Sequence, residues 1–221
     1  MFRSIRRLFK VEKARLNDGL PLLHGLRLNG SFRLDALPLR GDSDALLMSL
    51  PPSDQLIEAQ GVVSLDRQSS LHRYYATDDY FIQIETDGGH QEQYVSFMWL
   101  FQYYQTLYPS PNEWDRFIAE RGLIGQPELE LEGLCFRRVW SEHSLNWVPA
   151  VHMRETTHKP DGSSYVTDQF AMLYQRSATK EREEFLLVAA EETEGVNGEL
   201  ERCVVYSLGV AINPHQLSRL S

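Results

Sequence analysis

The two most closely spaced histidines, His152 and His158, frame the stretch HMRETTH. Alternate residues of a strand point to one side, so both imidazoles would share a face with Arg154 and Thr156. At about 3.3 Å per residue, however, the two rings are too far apart on one strand to bind the same zinc ion. We therefore expect a solvated polar strand face here, with no metal and no other cofactor.

Three residues are candidate nucleophiles: Ser43, Cys135 and Cys203. Ser43 ends a Gly-Asp-Ser run like the one that opens an esterase class, but that class also needs a late Asp and His on an α/β sheet. Here the last histidine, His215, follows Asn213-Pro214 and lacks that Asp. Each cysteine lies in an apolar, strand-like run without an activating partner nearby, so we expect two buried free thiols in a reducing compartment.

Two pairs of neighbouring carboxylates, Asp78-Asp79 and Glu191-Glu192, are the candidates for acid–base chemistry. Neighbours in a strand point to opposite faces, so neither pair would converge on one bond. No glycine-rich run precedes a helix carrying Lys and Ser or Thr, which excludes a phosphate-binding loop. Residue types and spacing therefore identify no reaction, and we expect no catalytic residue.

The strongest remaining signal is the N-terminal tip, defined as residues 2–10 (FRSIRRLFK). Residues 1–16 carry six basic side chains and one acidic one, whereas the whole chain has a formal charge of −9, which leaves −14 for the rest. That overall charge argues against nucleic-acid binding, which needs a basic surface. At about 100° per residue, apolar and basic residues fall in separate sectors over residues 2–16, with Glu12 as an exception in the apolar sector, and this pattern predicts an amphipathic helix.

The tip has three possible states. As a helix, it docks on a protein partner or weakly on a membrane surface, or it packs on the protein's own acidic body; the third state is disorder. We expect docking to a partner or membrane to involve eight residues: Phe2, Arg3, Ile5, Arg6, Arg7, Leu8, Phe9 and Lys10.

The elements that would position these residues are mostly strands, because runs rich in Val, Ile, Tyr and Phe recur from residue 55 onward. Asp87-Gly88-Gly89, Lys159–Gly162 and Val196–Gly198 have the composition of hairpin turns, and strands joined by short turns are antiparallel. The stretch QYVSFMWLF also fits a helical pattern, but the preceding turn and the aromatic residues favour a strand. Nine strands are predicted: LIEAQGVVSLD, SLHRYYAT, YFIQIET, QYVSFMWLF, LCFRRVW, AVHMRETT, YVTDQFAMLYQR, EFLLVAAEET and ERCVVYSLGV.

One interior helix is predicted over residues 111–121. Ser110 and Glu113 have the spacing of a capping box, Pro111 occupies the first helical position, and Gly122 would end the helix. Residues 19–53 contain too many Gly and Pro residues for a helix, so we expect short strands or extended pieces there.

We therefore expect a mainly β (α+β) protein in two parts: a basic amphipathic helix over residues 1–18, and a single antiparallel β-rich domain over residues 19–221. No apolar run approaches the ~18 residues needed to cross a bilayer. The start of the chain lacks the continuous apolar segment of a signal peptide. These features predict a cytoplasmic protein, with a peripheral contact at the inner membrane if the tip docks there.

Several motifs resemble the uncharacterised bacterial YjfK-like family, a domain of unknown function: FRRVW (136–140), KPDGSSY (159–165), AMLYQR (171–176) and EEFLLVAAEET (183–193), with PSPNEWDRFI and GLIG upstream. The resemblance runs the length of the chain, tip included, and it implies no activity. Genes of this family tend to lie beside one for a relative of the phage-shock protein PspA, a peripheral membrane-stress protein. The resemblance thus implies a PspA-like protein as a partner.

Two classes of function follow from these observations. The leading hypothesis is a non-enzymatic adaptor: an antiparallel β body that binds protein partners, with the tip as a docking element. The alternative is a small-ligand-binding protein or an enzyme with a pocket between sheets. A cluster of titratable groups with perturbed pKa values in a deep cleft would favour the alternative, and a featureless body would favour the adaptor.

Overall fold

A computed structural model describes residues 12–13, 19–52, 54–142, 144–195 and 197–220. Strands make up 53% of the described residues and helical segments 12%, so the prediction of a mainly β fold is confirmed. The strands are β1 (Glu12–Lys13), β2 (Ser31–Leu34), β3 (Gln55–Ser64), β4 (Ser69–Ala76), β5 (Tyr80–Asp87), β6 (Val95–Leu107), β7 (Glu128–Leu131), β8 (Leu134–Arg138), β9 (Val151–His158), β10 (Ser163–Ser177), β11 (Glu183–Glu194), β12 (Leu200–Ala211) and β13 (Leu217–Arg219). The α-helices are α1 (Leu37–Arg40) and α2 (Pro111–Ile118).

Eight of these strands close into an antiparallel barrel, in the order β3-β4-β5-β6-β12-β11-β10-β9 and back to β3. The ring closes because β9 pairs with β10 on one side and with β3 on the other. Register shifts within β3, between β5 and β6, and between β6 and β12 provide the bulges that bend strands around a barrel. Strands β13 and β2 extend the sheet beyond β3, and β8 and β7 extend it beyond β10.

The alternation of side chains along each strand divides the apolar residues between an inner and an outer core. The inner core includes Tyr75, Phe81, Phe101 and Leu187, with aromatic contacts between neighbouring strands such as Phe81 stacked on Phe101. We assign this face to the interior because polar side chains on it meet across the ring, as described below. The barrel is thus filled by side chains, as expected for eight strands.

The outer core covers most, but not all, of the outside of the barrel. Tyr74 on β4 and Leu186 on β11 pack there against residues of the surrounding segments, including Leu39 of α1, Trp114 of α2 and Phe136 of β8. By contrast, the outer face of β3 and β9 is covered only in part: Gln60 on β3 is buried and donates to the carbonyl of Pro21, whereas Ser64 on β3 and Arg154 on β9 are exposed. The candidate site lies on the uncovered part of this face.

Buried charged residues attach the outer segments to the barrel. The Glu184 carboxylate accepts hydrogen bonds from the backbone N–H groups of Leu47 and Met48, both at 2.8 Å, and pairs with Arg176 at 2.6 Å. Arg138, which is fully buried, donates to the backbone carbonyls of residues 125, 142 and 145. These bonds satisfy loop carbonyls and N–H groups that would otherwise be buried without partners.

All nine predicted strands are present, but the helix predictions need correction. The capping box at Ser110 and Glu113 is confirmed, yet α2 ends at Ile118 rather than at residue 121. Arg121 has a φ of 63°, and the chain turns there so that Ile124 becomes fully buried. The short helix α1 was not predicted; Pro38 fits in its first turn, where the missing N–H needs no partner.

Candidate functional site

A polar cluster occupies the inside of the barrel. This inner polar cluster comprises Arg73, Tyr75, Gln83, Glu155 and Gln169, all of which are buried. Arg73 donates from Nη1 to Glu155 Oε2 and to Gln169 Oε1, each at 2.7 Å, and from Nε to Gln83 Oε1 at 2.8 Å. The Tyr75 hydroxyl donates to Glu155 Oε1 at 2.6 Å, and the amide of Gln169 donates to Oε2 at 2.8 Å. Because β3 and β9 separate β4 from β10, these contacts cross the barrel interior.

The electrostatics of the inner polar cluster are those of a matched ion pair. Burial is the largest single influence on the pKa of Arg73 and opposes its charged form, but Glu155, Tyr75 and Glu191 together outweigh it, so the pKa of Arg73 is raised. Burial and then the Glu155 charge raise the pKa of Tyr75 well above its usual value. Arg73 therefore stays cationic and Tyr75 stays protonated at neutral pH, and neither is poised to exchange a proton.

The space beside the inner polar cluster is too small for a substrate. A cavity bounded by Arg73, Tyr103, Glu191 and Ser207, among others, has a volume of about 10 Å³. A single water molecule needs roughly 10–15 Å³ by this measure. The inner polar cluster thus combines strongly shifted pKa values with no room for a ligand, which is the pattern of a structural ion pair rather than an active site.

A much larger concavity lies on the outside of the barrel. This outer groove has a volume of about 640 Å³. Its floor is the uncovered face of β3 and β9, with Val62 and Ser64 from the first strand and Arg154, Thr156 and His158 from the second. One wall is the chain at residues 19–21, and the other is the turn between β9 and β10.

The outer groove is basic, although the protein is acidic. Arg154, Lys159, His158 and His90 line it, and none of the described residues that line it carries a carboxylate. Lys159 also lies over the ring of Tyr165, with 5.0 Å from its Nζ to the ring centroid. Burial lowers the pKa of His158, so this imidazole is mostly neutral at pH 7. In this state the groove offers hydrogen-bond donors and fixed positive charge, which suits an anionic group.

Two acidic residues, one on β10 and one in the turn between β9 and β10, have partners of their own. His152, on the same face of β9, contacts Asp168 at 2.9 Å and stacks on Phe170. Asp161, in the β9–β10 turn, accepts hydrogen bonds from the hydroxyl and the backbone N–H of Ser163. These bonds lower the pKa of Asp161. Asp168 thus pairs with a residue outside the groove lining, whereas Asp161 also interacts electrostatically with Lys159, a cation that lines the groove.

The structure places the predicted chemical residues apart from one another. His152 and His158 do lie on one face of β9, as predicted, but only His158 lines the groove. Ser43 lies in a short 3₁₀ helix, where its hydroxyl donates to the carbonyl of Arg40. Within the described ranges, no group of three or more His, Cys, Asp or Glu side chains is arranged to hold a metal ion.

Two sequence predictions about this chemistry were wrong in part. Cys135 is exposed rather than buried, because it faces away from the covered side of β8, and Cys203 is only partly buried. Asp78 and Asp79 lie in a 3₁₀ turn with φ values of 58° and 64°, not in a strand. The two cysteines lie on strands that do not pair with each other.

Residues 2–10 lie outside the described part of the chain, and so do the eight docking residues predicted there: Phe2, Arg3, Ile5, Arg6, Arg7, Leu8, Phe9 and Lys10. Of the predicted helix over residues 1–18, the structure describes Glu12 and Lys13, which form β1 instead and pair with Ser164 and Ser163 of β10. At these two positions a sheet edge replaces the predicted helix. Since Ser163 lines the outer groove, the backbone of Lys13 lies next to a groove residue.

Sequence reasoning missed both the outer groove and the inner polar cluster. A signal for the cluster was present: Arg73 alternates with Leu71 and Tyr75, and Glu155 alternates with Met153 and Thr157, so each charge falls on the buried face of its strand. The signal for the groove was the run of His152, Arg154, Thr156 and His158, which was assigned only to a solvated face.

The fold and the groove together define the class of this molecule: a closed, eight-stranded antiparallel β-barrel protein with an open basic groove on its outer face. A model of the family described as "Protein of unknown function (DUF2491)" matches residues 4–218, and the chain belongs to this family. It is 30% identical over 188 residues to "Uncharacterized protein YjfK" of Escherichia coli (strain K12), covering 85% of this chain and 86% of that protein. No solved structure matches the chain. Among the helices described here, none is long and apolar enough to cross a membrane.

Proposed function

We propose that this protein is a non-enzymatic adaptor, in which the β-barrel binds protein partners through its outer groove and the N-terminal tip is a docking element. The observation that carries the proposal is the division of chemistry between the two faces of the barrel. The inner polar cluster, in which the pKa values of Arg73 and Tyr75 are raised, is sealed inside beside a cavity of about 10 Å³. The described residues that line the accessible concavity supply cations and hydroxyl groups but no paired acid and base.

The partner that we propose is a PspA-like protein at the inner face of the cytoplasmic membrane. This choice is supported by the gene neighbourhood that the family resemblance implies and by the charge pattern of the chain. The chain has a net charge of −9, but residues 1–16 carry a net charge of +5 and the outer groove is lined by Arg154 and Lys159, so these two parts suit contact with an anionic region of a partner.

The second candidate is a protein that binds a small anionic ligand in the outer groove. The observation that favours it is the groove volume of about 640 Å³, which falls in the range of ligand sites, about 300–1,000 Å³. Against it, Ser64, His90 and Arg154 are exposed, so that a drug-sized ligand there would keep more contact with water than is usual.

A capture experiment tests the adaptor. The full-length chain is immobilised and incubated with lysate of its native cells, crude membranes included, and the retained PspA-like protein is quantified by mass spectrometry. Arg154→Glu and a chain lacking residues 2–10 should each retain less of it than the wild type. Lys180→Glu, an exposed charge change in the turn between β10 and β11, is the matched control and should retain the wild-type amount. Equal capture by all four proteins, or by none, would contradict the proposal.

A further inference from the structure

We infer that one end of the barrel is a second docking surface, which binds a segment of a partner protein that combines apolar and cationic side chains. At this end β3, β5, β10 and β12 finish, and β4, β6, β9 and β11 begin. The surface, which we call the apolar mouth, comprises Leu65, Phe97, Trp99, Val151 and Phe185. None of these five residues lines the outer groove, so this site is distinct from the one that carries the proposed function.

The apolar mouth exposes side chains that the alternation along the strands directs toward the barrel axis. Phe97, Leu65 and Val151 are 58%, 42% and 38% exposed, although each lies two positions along the chain from a buried residue of the inner core. Phe97 stacks on Trp99 with 5.4 Å between the ring centroids, and Trp99 lies edge-on to Phe185 at 6.3 Å. The inner core thus continues to a surface that solvent reaches, and exposed apolar surface rimmed by polar residues is typical of interaction sites.

The rim of the apolar mouth carries three carboxylates: Glu85 and Asp87 on β5, and Glu183 on β11. Glu85 is directly opposite Phe97 in the pairing of β5 with β6. Glu183 lies two positions before Phe185, so it follows the same side of β11 outward. An apolar centre is therefore bordered by negative charge.

The neighbouring turns do not neutralise these carboxylates. The turn between β3 and β4 (66–67) and the turn between β10 and β11 (180–181) each add one acidic and one basic residue. A further cation of the second turn, Arg182, pairs with Asp42 at 3.2 Å. The described charges around the apolar mouth thus sum to a negative value.

This charge selects the occupant. Burial is the largest influence on the pKa of Glu85 and raises it, and the charge of Asp87 also raises it, so a cation placed beside them would be favourable. Two copies joined mouth to mouth would bring the same carboxylates together, and an anionic membrane would be repelled in the same way. A segment with Lys or Arg beside apolar side chains matches both the centre and the rim.

Fluorescence anisotropy with a labelled amphipathic helical peptide of leucine and lysine tests the inference on the full chain. The wild type should bind it at least about tenfold more tightly than a counterpart with glutamate in place of lysine. Phe97→Ser should weaken binding about tenfold, the loss expected for an aromatic anchor. Glu85→Gln should weaken binding and reduce its dependence on salt. Leu200→Ser is the matched control, since Leu200 is 57% exposed and lies at the other end of β12, and it should bind like the wild type.

Leu65→Ser should also weaken binding, and it keeps the test decisive if thermal unfolding shows that Phe97→Ser does not fold. Peptide binding that both substitutions leave unchanged would overturn the apolar mouth as the site. Equal affinity for the two peptides would overturn the role of charge. Tighter binding by a chain lacking residues 2–10 would overturn the partner as occupant, because the tip would then compete for the site. A dimer that is lost in Phe97→Ser would do the same in favour of a second copy. The capture experiment with Arg154→Glu remains a separate test of the adaptor.

Discussion

Removing the charge of Glu155 should destabilise the protein more than any comparable change at its surface. Glu155 and Arg73 are 1% and 3% exposed, and the carboxylate accepts hydrogen bonds from Arg73, Tyr75 and Gln169. Glu155→Gln keeps the shape of the side chain but leaves the Arg73 charge buried without its counter-charge. Breaking a buried pair in this way costs about 3–5 kcal/mol. That is a large part of the 5–15 kcal/mol that typically separates folded from unfolded protein.

The measurement is urea unfolding followed by tryptophan fluorescence at pH 7. Glu155→Gln should lower the midpoint without changing the dependence of the unfolding free energy on urea concentration. Glu192→Gln is the matched control, since Glu192 pairs with Arg202 at 2.7 Å while both side chains keep contact with solvent. It should cost below about 1 kcal/mol. An apolar pair, Arg73→Met with Glu155→Leu, should recover most of the loss, because no charge is then left buried.

Two results would refute this reasoning. If Glu155→Gln costs no more than Glu192→Gln, water must reach Arg73 and the barrel is not sealed. If Gly61→Ala leaves the free energy of unfolding unchanged, the interior around Glu155 is packed less tightly than described, since a Cβ at Gly61 would overlap the Glu155 carboxylate. Overpacking of this kind should cost about 1–3 kcal/mol.

Three further predictions concern other parts of the chain. Burial, and then the neighbouring His90, lowers the pKa of His72 from 6.5 to about 4, so the unfolded chain takes up a proton between these values that the folded chain does not. As the pH falls from 6.5 toward 4, the free energy of unfolding therefore decreases by up to ~3 kcal/mol, and above pH 6.5 this loss is absent. Unfolding curves at pH 7 and pH 5 should show that His72→Gln removes this part of the pH dependence. The two cysteines should differ in alkylation, followed by mass spectrometry. Cys135 is exposed and should react in the folded protein, whereas Cys203, whose pKa is raised by burial, should react only when the protein unfolds. Equal alkylation rates of the two thiols would contradict this prediction. Ser110→Ala should cost about 1 kcal/mol in thermal unfolding, because it removes the capping box of α2, and no change would mean that the cap is not formed in solution.

Local patterns in the sequence were sufficient to place most of the secondary structure. The turn at Asp87-Gly88-Gly89 and the alternation from Val95 to Tyr103 predicted the β5–β6 hairpin, and the composition of Ser110–Glu113 predicted the start of α2. These predictions succeeded because hairpin turns and helix caps depend on residues only a few positions apart. The end of α2 was missed because it is decided by the burial of Ile124, which is a tertiary contact.

The sequence by itself determined that this is an antiparallel β protein with an unusually basic start, because strand alternation, turn glycines and charge are all local properties. Only the tertiary structure decided that the sheet closes. Closure pairs residues 60–63 of β3 with residues 155–158 of β9, and no local pattern specifies a partner so distant in sequence. The same closure puts Arg73 against Glu155 and seals them inside, and it leaves Arg154 and His158 facing outward over an uncovered face. Whether a charge on a strand becomes part of a core or part of a groove depends on what covers that strand, and that is settled by packing between segments far apart in the chain.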